Sequence, residues 1–356
     1  MGYKRGNEMK LTRLNLHEFT VFHDATLELA PGVNVFIGEN GTGKSHVLKL
    51  VYALTEATRR FAAGEGLEGG KDSALDHLVR GMLLGVFQPD SLSSFRPAHL
   101  PATLSLEWED ARLEVTLGPG DALTASATGS LSKVGRPLFI PPREVLSIFP
   151  GFAAAWLHRE SAFDRTYFDL CVALGLKPLR TGGPAALLDP IERELGGKVV
   201  MRDGRFYIDY PGGDMEMPMV AEGDRKLAMI AYLLMNGSLA ENAYLLWDEP
   251  EANLNPKRAQ LMSDTAARLV GAGAQILLAT HDYALTSELT LKVDTGGMPA
   301  GVAAFFALHQ DPIERGVVVS RGERLADLQD NAILETLASL HAREQEAVFA
   351  SDGAPR

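Results

Sequence analysis

Cysteine is almost missing: Cys171 is the single thiol in 356 residues, which excludes an internal disulfide framework and fits a reducing cytoplasm. No apolar run approaches the ~18 residues that span a bilayer, so no membrane partner is expected. The basic N-terminus, MGYKRGNEMK, has no apolar stretch behind it and does not read as a secretory signal. It reads as a short disordered leader, with Met9 a candidate start. Positive charge is in deficit: 34 Lys+Arg against 46 Asp+Glu leaves a net charge of −12. DNA contact is therefore unsupported by net charge and would need a local basic patch. Internal repeats, low-complexity tracts and heptad runs are also absent, which excludes long coiled-coil arms. What remains is ordinary for a globular chain, with 46% hydrophobic and 22% charged residues. The length suits one large α/β core with an insertion.

Residues 10–60 read as two or three strands followed by a helix at 45–60, with Val47, Leu50, Val51 and Leu54 on one face. The glycine-rich stretch 61–72 reads as a mobile surface loop, and 73–98 as helical with an interruption at Pro89. Short alternating segments over 101–140 (TLSLEW, RLEVTL and PLFI) predict an antiparallel β-subdomain. Residues 150–195 carry helical spacing and aromatics, predicting a helical insertion whose cluster at 152–168 is read as its core. Asp203-Gly204 joins two strands as a hairpin. Over 215–310 the order is helix (224–240), strand (244–247), helix (256–271) and strand (275–280), which implies a parallel sheet. A final helix is expected at 329–346.

The strongest motif is Gly38-Glu39-Asn40-Gly41-Thr42-Gly43-Lys44-Ser45, a full G-x-x-x-x-G-K-S between an apolar strand and a helix. Its glycines let successive N–H groups turn around an anion at a helix N-terminus. Lys44 is placed to reach β- and γ-phosphates, and Ser45 to ligate Mg²⁺. In Tyr244-Leu245-Leu246-Trp247-Asp248-Glu249-Pro250 a buried strand ends in an acidic pair. Asp248 fits the Mg²⁺ shell and Glu249 the water-activating role. In Ala279-Thr280-His281-Asp282, His281 follows another buried strand and can reach a γ-phosphate or the attacking water. Ala221-Glu222-Gly223-Asp224-Arg225-Lys226 opens an apolar helix, a further anion-binding geometry. Arg59-Arg60 is read as a solvated helix end, and Cys171 as buried and inert.

The order of these motifs resembles the ABC-type ATPase head, an α/β P-loop fold with a mixed sheet, an antiparallel β-subdomain and a helical insertion. More narrowly it resembles the soluble branch that includes SMC heads, RecF-type repair proteins, the overcoming-lysogenization-defect ATPases and Septu-type phage-defence ATPases. The segments carrying it are LTRLNLHEFTVFHDATLELAPGVNVFIGENGTGKS and DEPEANLNP. FIPPREVLSIFPGF and AEGDRKLAMIAYLLMNGSL are most similar to the single-head defence ATPases. The resemblance covers roughly 10–350 and implies ATP and Mg²⁺ at composite sites formed by two copies. Catalysis would fall to Glu249, His281 and Lys44, with the metal on Ser45 and Asp248. The signature segment departs from the family, with Ala221 at the serine-like position and Glu222 at a glycine. The γ-phosphate is then expected to be read by Gly223 with Arg225 or Lys226. Asn255 replaces an Asp common after the acidic pair. For the glutamine that couples the metal site to mid-domain, Gln88 is a poor candidate, and Arg143 or Glu144 sit better placed.

The leading expectation is a cytoplasmic ATPase that dimerises on ATP and controls a separate, nuclease-like effector in phage defence or DNA surveillance. No TOPRIM-like or H-N-H arrangement follows His281. A RecF/SMC-like DNA-repair ATPase and a non-hydrolysing nucleotide switch stay open. A transporter subunit is disfavoured by the absence of an L-S-G-G-Q signature.

Overall fold

A computed structural model describes residues 8–66, 71–96, 100–158, 162–181, 183–239, 243–311 and 316–329, with individual positions between 334 and 345. The expected N-terminal leader at 1–7 lies outside the described residues, as does much of the expected helix 329–346. No helix of the described residues is long and apolar enough to cross a membrane.

The chain begins with β1 (Leu11–Phe19), β2 (Phe22–Glu28) and β3 (Val33–Gly38), followed by α1 (Lys44–Ala62) and α2 (Lys71–Phe87). Then come β4 (Ala102–Trp108), β5 (Ala111–Leu117), β6 (Leu123–Gly129) and β7 (Pro137–Ile140). The insertion holds α3 (Phe149–Leu157), α4 (Arg165–Leu174) and α5 (Ala185–Leu195), and the sheet of β8 (Lys198–Arg202), β9 (Arg205–Tyr210) and β10 (Gly213–Glu216) follows. The last lobe comprises α6 (Glu222–Met235), β11 (Tyr244–Asp248), α7 (Ala259–Gly271), β12 (Gln275–Thr280), α8 (Tyr283–Asp294), β13 (Ala303–Asp311) and β14 (Gly316–Gly322).

The main sheet has the order β14-β13-β3-β12-β11-β7. All its pairings are parallel except that of β13 with β14. Its inner strands are apolar on both faces, as parallel strands covered by helices must be. Alternation then assigns side chains to layers. Phe36, Leu246, Leu277 and Phe306 point to one face and pack with α1 and the antiparallel sheet. Val35, Ile37, Leu245, Trp247, Ile276 and Leu278 point to the other and pack with α6 and α7.

The antiparallel sheet has the order β2-β1-β4-β5-β6 and so includes the first two strands of the chain. This corrects the boundary expected for a β-subdomain at 101–140. The PLFI segment, β7, is not in that sheet: it pairs parallel with β11, Tyr244 opposite Pro137 and Trp247 opposite Ile140. All four of its residues are buried, which suits the covered main sheet rather than a half-exposed one. Asp203 (φ 49°) and Gly204 (φ 73°) form the β8–β9 turn, both in the left-handed region that a two-residue hairpin favours.

The insertion is anchored to the helix that follows the phosphate loop. Asp164 caps α4 by accepting from the Thr166 N–H at 2.8 Å, and Lys49 of α1 donates to the same carboxylate at 2.6 Å. Tyr52 of α1 donates to Asp169 at 2.7 Å. Within the insertion Trp156 stacks on Phe168 at 4.2 Å and Phe152 lies 5.5 Å from Phe163, as expected for a subdomain core.

Candidate functional site

The site forms where β3, β11 and β12, adjacent in the sheet, end side by side. β3 runs into the loop 38–43, and α1 starts at Lys44. Gly41 (φ 85°) and Gly43 (φ 90°) take the left-handed conformation that turns the loop. Gly43 is also tightly enclosed, since a Cβ there would lie 2.7 Å from Val21 and 2.8 Å from the Phe22 ring. Glu39, Asn40 and Gly41 are exposed at the crest, and Thr42 is buried with its hydroxyl donating to the Glu39 carbonyl at 2.9 Å.

Lys44 is buried, and its ammonium donates to the carbonyls of Gly38 at 2.7 Å and Glu39 at 2.8 Å. Burial lowers its pKa, and the nearby carboxylates of Glu249 and Asp248 oppose the shift. Ser45 Oγ donates to Asp248 Oδ1 at 3.0 Å across the gap between α1 and β11. Burial raises the Asp248 carboxyl to about 6, although the Ser45 hydroxyl counteracts it. These two hard oxygens, with the open crest of a glycine loop beside them, fit a Mg²⁺–phosphate group, for which Mg²⁺ needs few protein ligands.

Glu249 follows directly with a left-handed backbone (φ 46°), its N–H donating to the Ala279 carbonyl at 2.9 Å. That conformation is costly for a residue with a Cβ and is the kind of strain found at working sites. It leaves Glu249 Oε1 3.7 Å from His281 Nδ1, so the expected pair is brought together at the strand ends.

Glu251, in the same loop, is not marked by the motif pattern of the sequence. Glu251 accepts from Thr280 Oγ1 at 2.6 Å and from the His281 N–H at 3.1 Å. Its carboxylate stands in DEPE, but its partner depends on the register of β11 against β12.

The start of α6 departs from expectation. Lys226 is not available to a phosphate: it is buried, and its ammonium donates to the carbonyls of Glu249 (2.8 Å), Ala252 (3.1 Å) and Pro250 (3.3 Å). Arg225 is likewise turned inward, donating to Glu144 Oε1 and to the Val220 carbonyl, both at 2.7 Å. Gly223 is buried, and a Cβ on it would come within 3.0 Å of the Asn253 carbonyl. Ala221 is the residue preceding the helix and makes no side-chain cap, as an alanine must.

Glu144 is buried and joins Arg225 to the Ser147 hydroxyl, so the turn after β7 is tied to the α6 start. Arg143 is exposed, with its backbone hydrogen-bonded to Tyr167. Gln88 bonds the Phe163 carbonyl, joining α2 to the insertion. Asn255 caps the turn before α7 through the Lys257 N–H at 3.0 Å. Arg59 and Arg60 pair with Glu56 and Glu65, and Cys171 is buried with its thiol pushed up to about 12.

A family model described as an AAA domain matches residues 13–81. The DNA replication and repair protein RecF of Erwinia tasmaniensis is 39% identical over 71 residues, 19% of this chain and 20% of that protein. The protein of the same name from Limosilactobacillus reuteri is 47% identical over 47 residues, 13% of each chain. The chain thus spans about a fifth or less of the length of these curated relatives. Among solved structures, an SMC head bound to the C-terminal winged-helix domain of ScpA superposes with a TM-score of 0.53 at 11% identity, covering 89% of this chain and 98% of that one. The fold is that of an SMC-head-like α/β P-loop ATPase, with a mixed sheet and an antiparallel β-subdomain.

Proposed function

We propose that this chain binds and hydrolyses ATP with Mg²⁺, and that two copies close on the nucleotide as a homodimer. The observation that carries the reading is the convergence of Ser45 with Asp248 at 3.0 Å and Glu249 with His281 at 3.7 Å beside one phosphate loop. In this reading the 38–45 backbone N–H groups and Lys44 hold the β- and γ-phosphates, and Ser45 and Asp248 supply the protein oxygens for Mg²⁺. Bound Mg²⁺ neutralises phosphate charge. Glu249 takes the proton of the attacking water as its oxygen bonds to the γ-phosphorus. The bond from that phosphorus to the ADP oxygen breaks, releasing inorganic phosphate. His281 holds the γ-phosphate or the water by a hydrogen bond. The exposed α6 start at Ala221 and Glu222 faces the nucleotide held by the other copy, whereas Gly223 is enclosed and Arg225 and Lys226 act within their own subunit.

The biological setting favoured by the matching relatives is DNA repair, as their names state. Control of a separate nuclease-like effector in phage defence rests on the FIPPREVLSIFPGF and AEGDRKLAMIAYLLMNGSL segments. ATP-dependent, salt-sensitive binding to duplex DNA favours the first setting.

Phosphate release from the purified protein with Mg²⁺-ATP tests the core of the reading. Glu249→Gln is expected to lose turnover by about 10²-fold or more while still binding ATP. Lys44→Ala is expected to lose both. ATP binding without turnover in the wild type would make the chain a nucleotide switch.

A further inference from the structure

Two charged groups, the buried Lys226 and the half-buried Glu251, hold the loop 249–252 in place, and neither belongs to the phosphate- or metal-binding set. On one side Lys226 gathers the three carbonyls of Glu249, Pro250 and Ala252. On the other, Glu251 Oε1 receives the Thr280 hydroxyl and the His281 N–H. Thr280 Oγ1 in turn accepts from the Asp282 N–H at 3.0 Å, and Asp282 caps α8. The Glu251 Oε2 atom is buried with no hydrogen-bond partner among the described residues. Burying a carboxylate is costly unless its oxygens are satisfied, so the contacts made by Oε1 are the ones that justify its position. The segment they restrain is under strain, since Glu249 carries a left-handed backbone (φ 46°) that a residue with a long side chain rarely adopts. The chain of contacts ends at the two groups that must act together, with His281 Nδ1 3.7 Å from Oε1 of both Glu249 and Glu251.

We infer that Glu251 is a positioning residue: it clamps the end of β12 to the loop after β11 and thereby sets His281 against Glu249. This deepens the hydrolytic reading above and rests on it. Lys226 is the second anchor, fixing the same loop to α6. Glu251 touches neither phosphate nor attacking water in this scheme. Its acceptor oxygen, not its charge, is what the clamp needs.

The distinction is testable with two substitutions in the full chain. Glu251→Ala removes the acceptor, whereas Glu251→Gln keeps a carbonyl oxygen that can receive Thr280 and the His281 N–H. Misplacing one catalytic partner costs rate rather than affinity, so Glu251→Ala is expected to lower kcat about tenfold or more with KM for ATP changed by less than about threefold. Glu251→Gln is expected to recover kcat to within about threefold of wild type.

Hydrogen–deuterium exchange of the nucleotide-free protein supplies a readout that needs no turnover. The His281 amide is expected to exchange about tenfold faster in Glu251→Ala but not in Glu251→Gln, with 33–38 unchanged as the folding control. Wild-type-like kcat in Glu251→Ala, equal loss in both variants, or a proportional rise in KM each overturns the proposal. So does unchanged exchange at His281. A wild type that binds ATP without turnover overturns the hydrolytic reading alone, and the exchange experiment then still decides the clamp.

Discussion

Asp248 is a carboxylate that the fold buries before any cation reaches it. Burial raises it to about 6 from an ordinary 3.8. A group whose folded pKa is raised binds its proton more tightly when folded, so stability from this group falls as pH rises from about 4 to about 6 and is level outside that window. Mg²⁺ needs the ionised form, and protons compete with it below the folded pKa. Mg²⁺ affinity is therefore expected to be level above pH ~6 and to weaken about tenfold per pH unit below it, as calorimetric titration would show. Asp248→Asn keeps an acceptor for the Ser45 hydroxyl and loses the cost of burying a charge. It is expected to raise the apo melting temperature at neutral pH, with the gain vanishing by pH ~4, while abolishing Mg²⁺-dependent stabilisation. A melting temperature that falls at both pH values would show that the burial cost is already offset in the metal-free protein.

The elements differ in how far their residues announce them. β3, the phosphate loop and α1 are legible because an apolar run, a glycine loop and a helical stripe follow in the one order that the motif requires. β11 and β12 are legible as short buried runs ending in acidic or histidine residues. The sheet membership of β7 is not, because Pro-Leu-Phe-Ile suits an antiparallel edge or a covered parallel strand equally well, and only pairing with β11 decides. β6, LTASATG, is nearly all small and polar and gives no alternation to read, and β13, which opens with six consecutive buried residues, gives none either. The inward turn of Lys226 is likewise invisible to patterning, which assigns lysines to solvent. Only the fold supplies the three carbonyls that receive it. The glycines of the loop can be ranked by what surrounds them. Gly43→Ala adds left-handed strain to a collision with Val21 and Phe22 and is expected to cost about 2 kcal/mol or more. Gly41 faces open space, so Gly41→Ala carries strain alone, about 1 kcal/mol. Denaturant midpoints of the two variants measure the difference, and equal losses would show that Val21 and Phe22 move aside.

For the whole molecule, charge opposes the association that the proposed mechanism requires. Each copy carries −12, so two copies repel one another at long range. Closure must be driven locally, by nucleotide bridging the phosphate loop of one copy and the α6 start of the other, where Ala221 and Glu222 are exposed. Glu222 adds negative charge at that edge. Repulsion of this kind is screened by salt, whereas a contact between a basic patch and DNA phosphates is weakened by it. The two modes of association therefore respond to ionic strength in opposite directions. Glu249→Gln is expected to run as a dimer in Mg²⁺-ATP and as a monomer without nucleotide, by size-exclusion chromatography with light scattering. Raising salt from about 0.05 M to about 0.3 M is expected to strengthen that dimer, since the Debye length falls from about 14 Å to about 6 Å. Lys44→Ala is expected to stay monomeric throughout. A Glu249→Gln dimer that weakens with salt would place attractive ion pairs at the interface and remove net charge as its governing term. A monomer under all conditions would exclude nucleotide-driven homodimerisation and leave closure to a different partner.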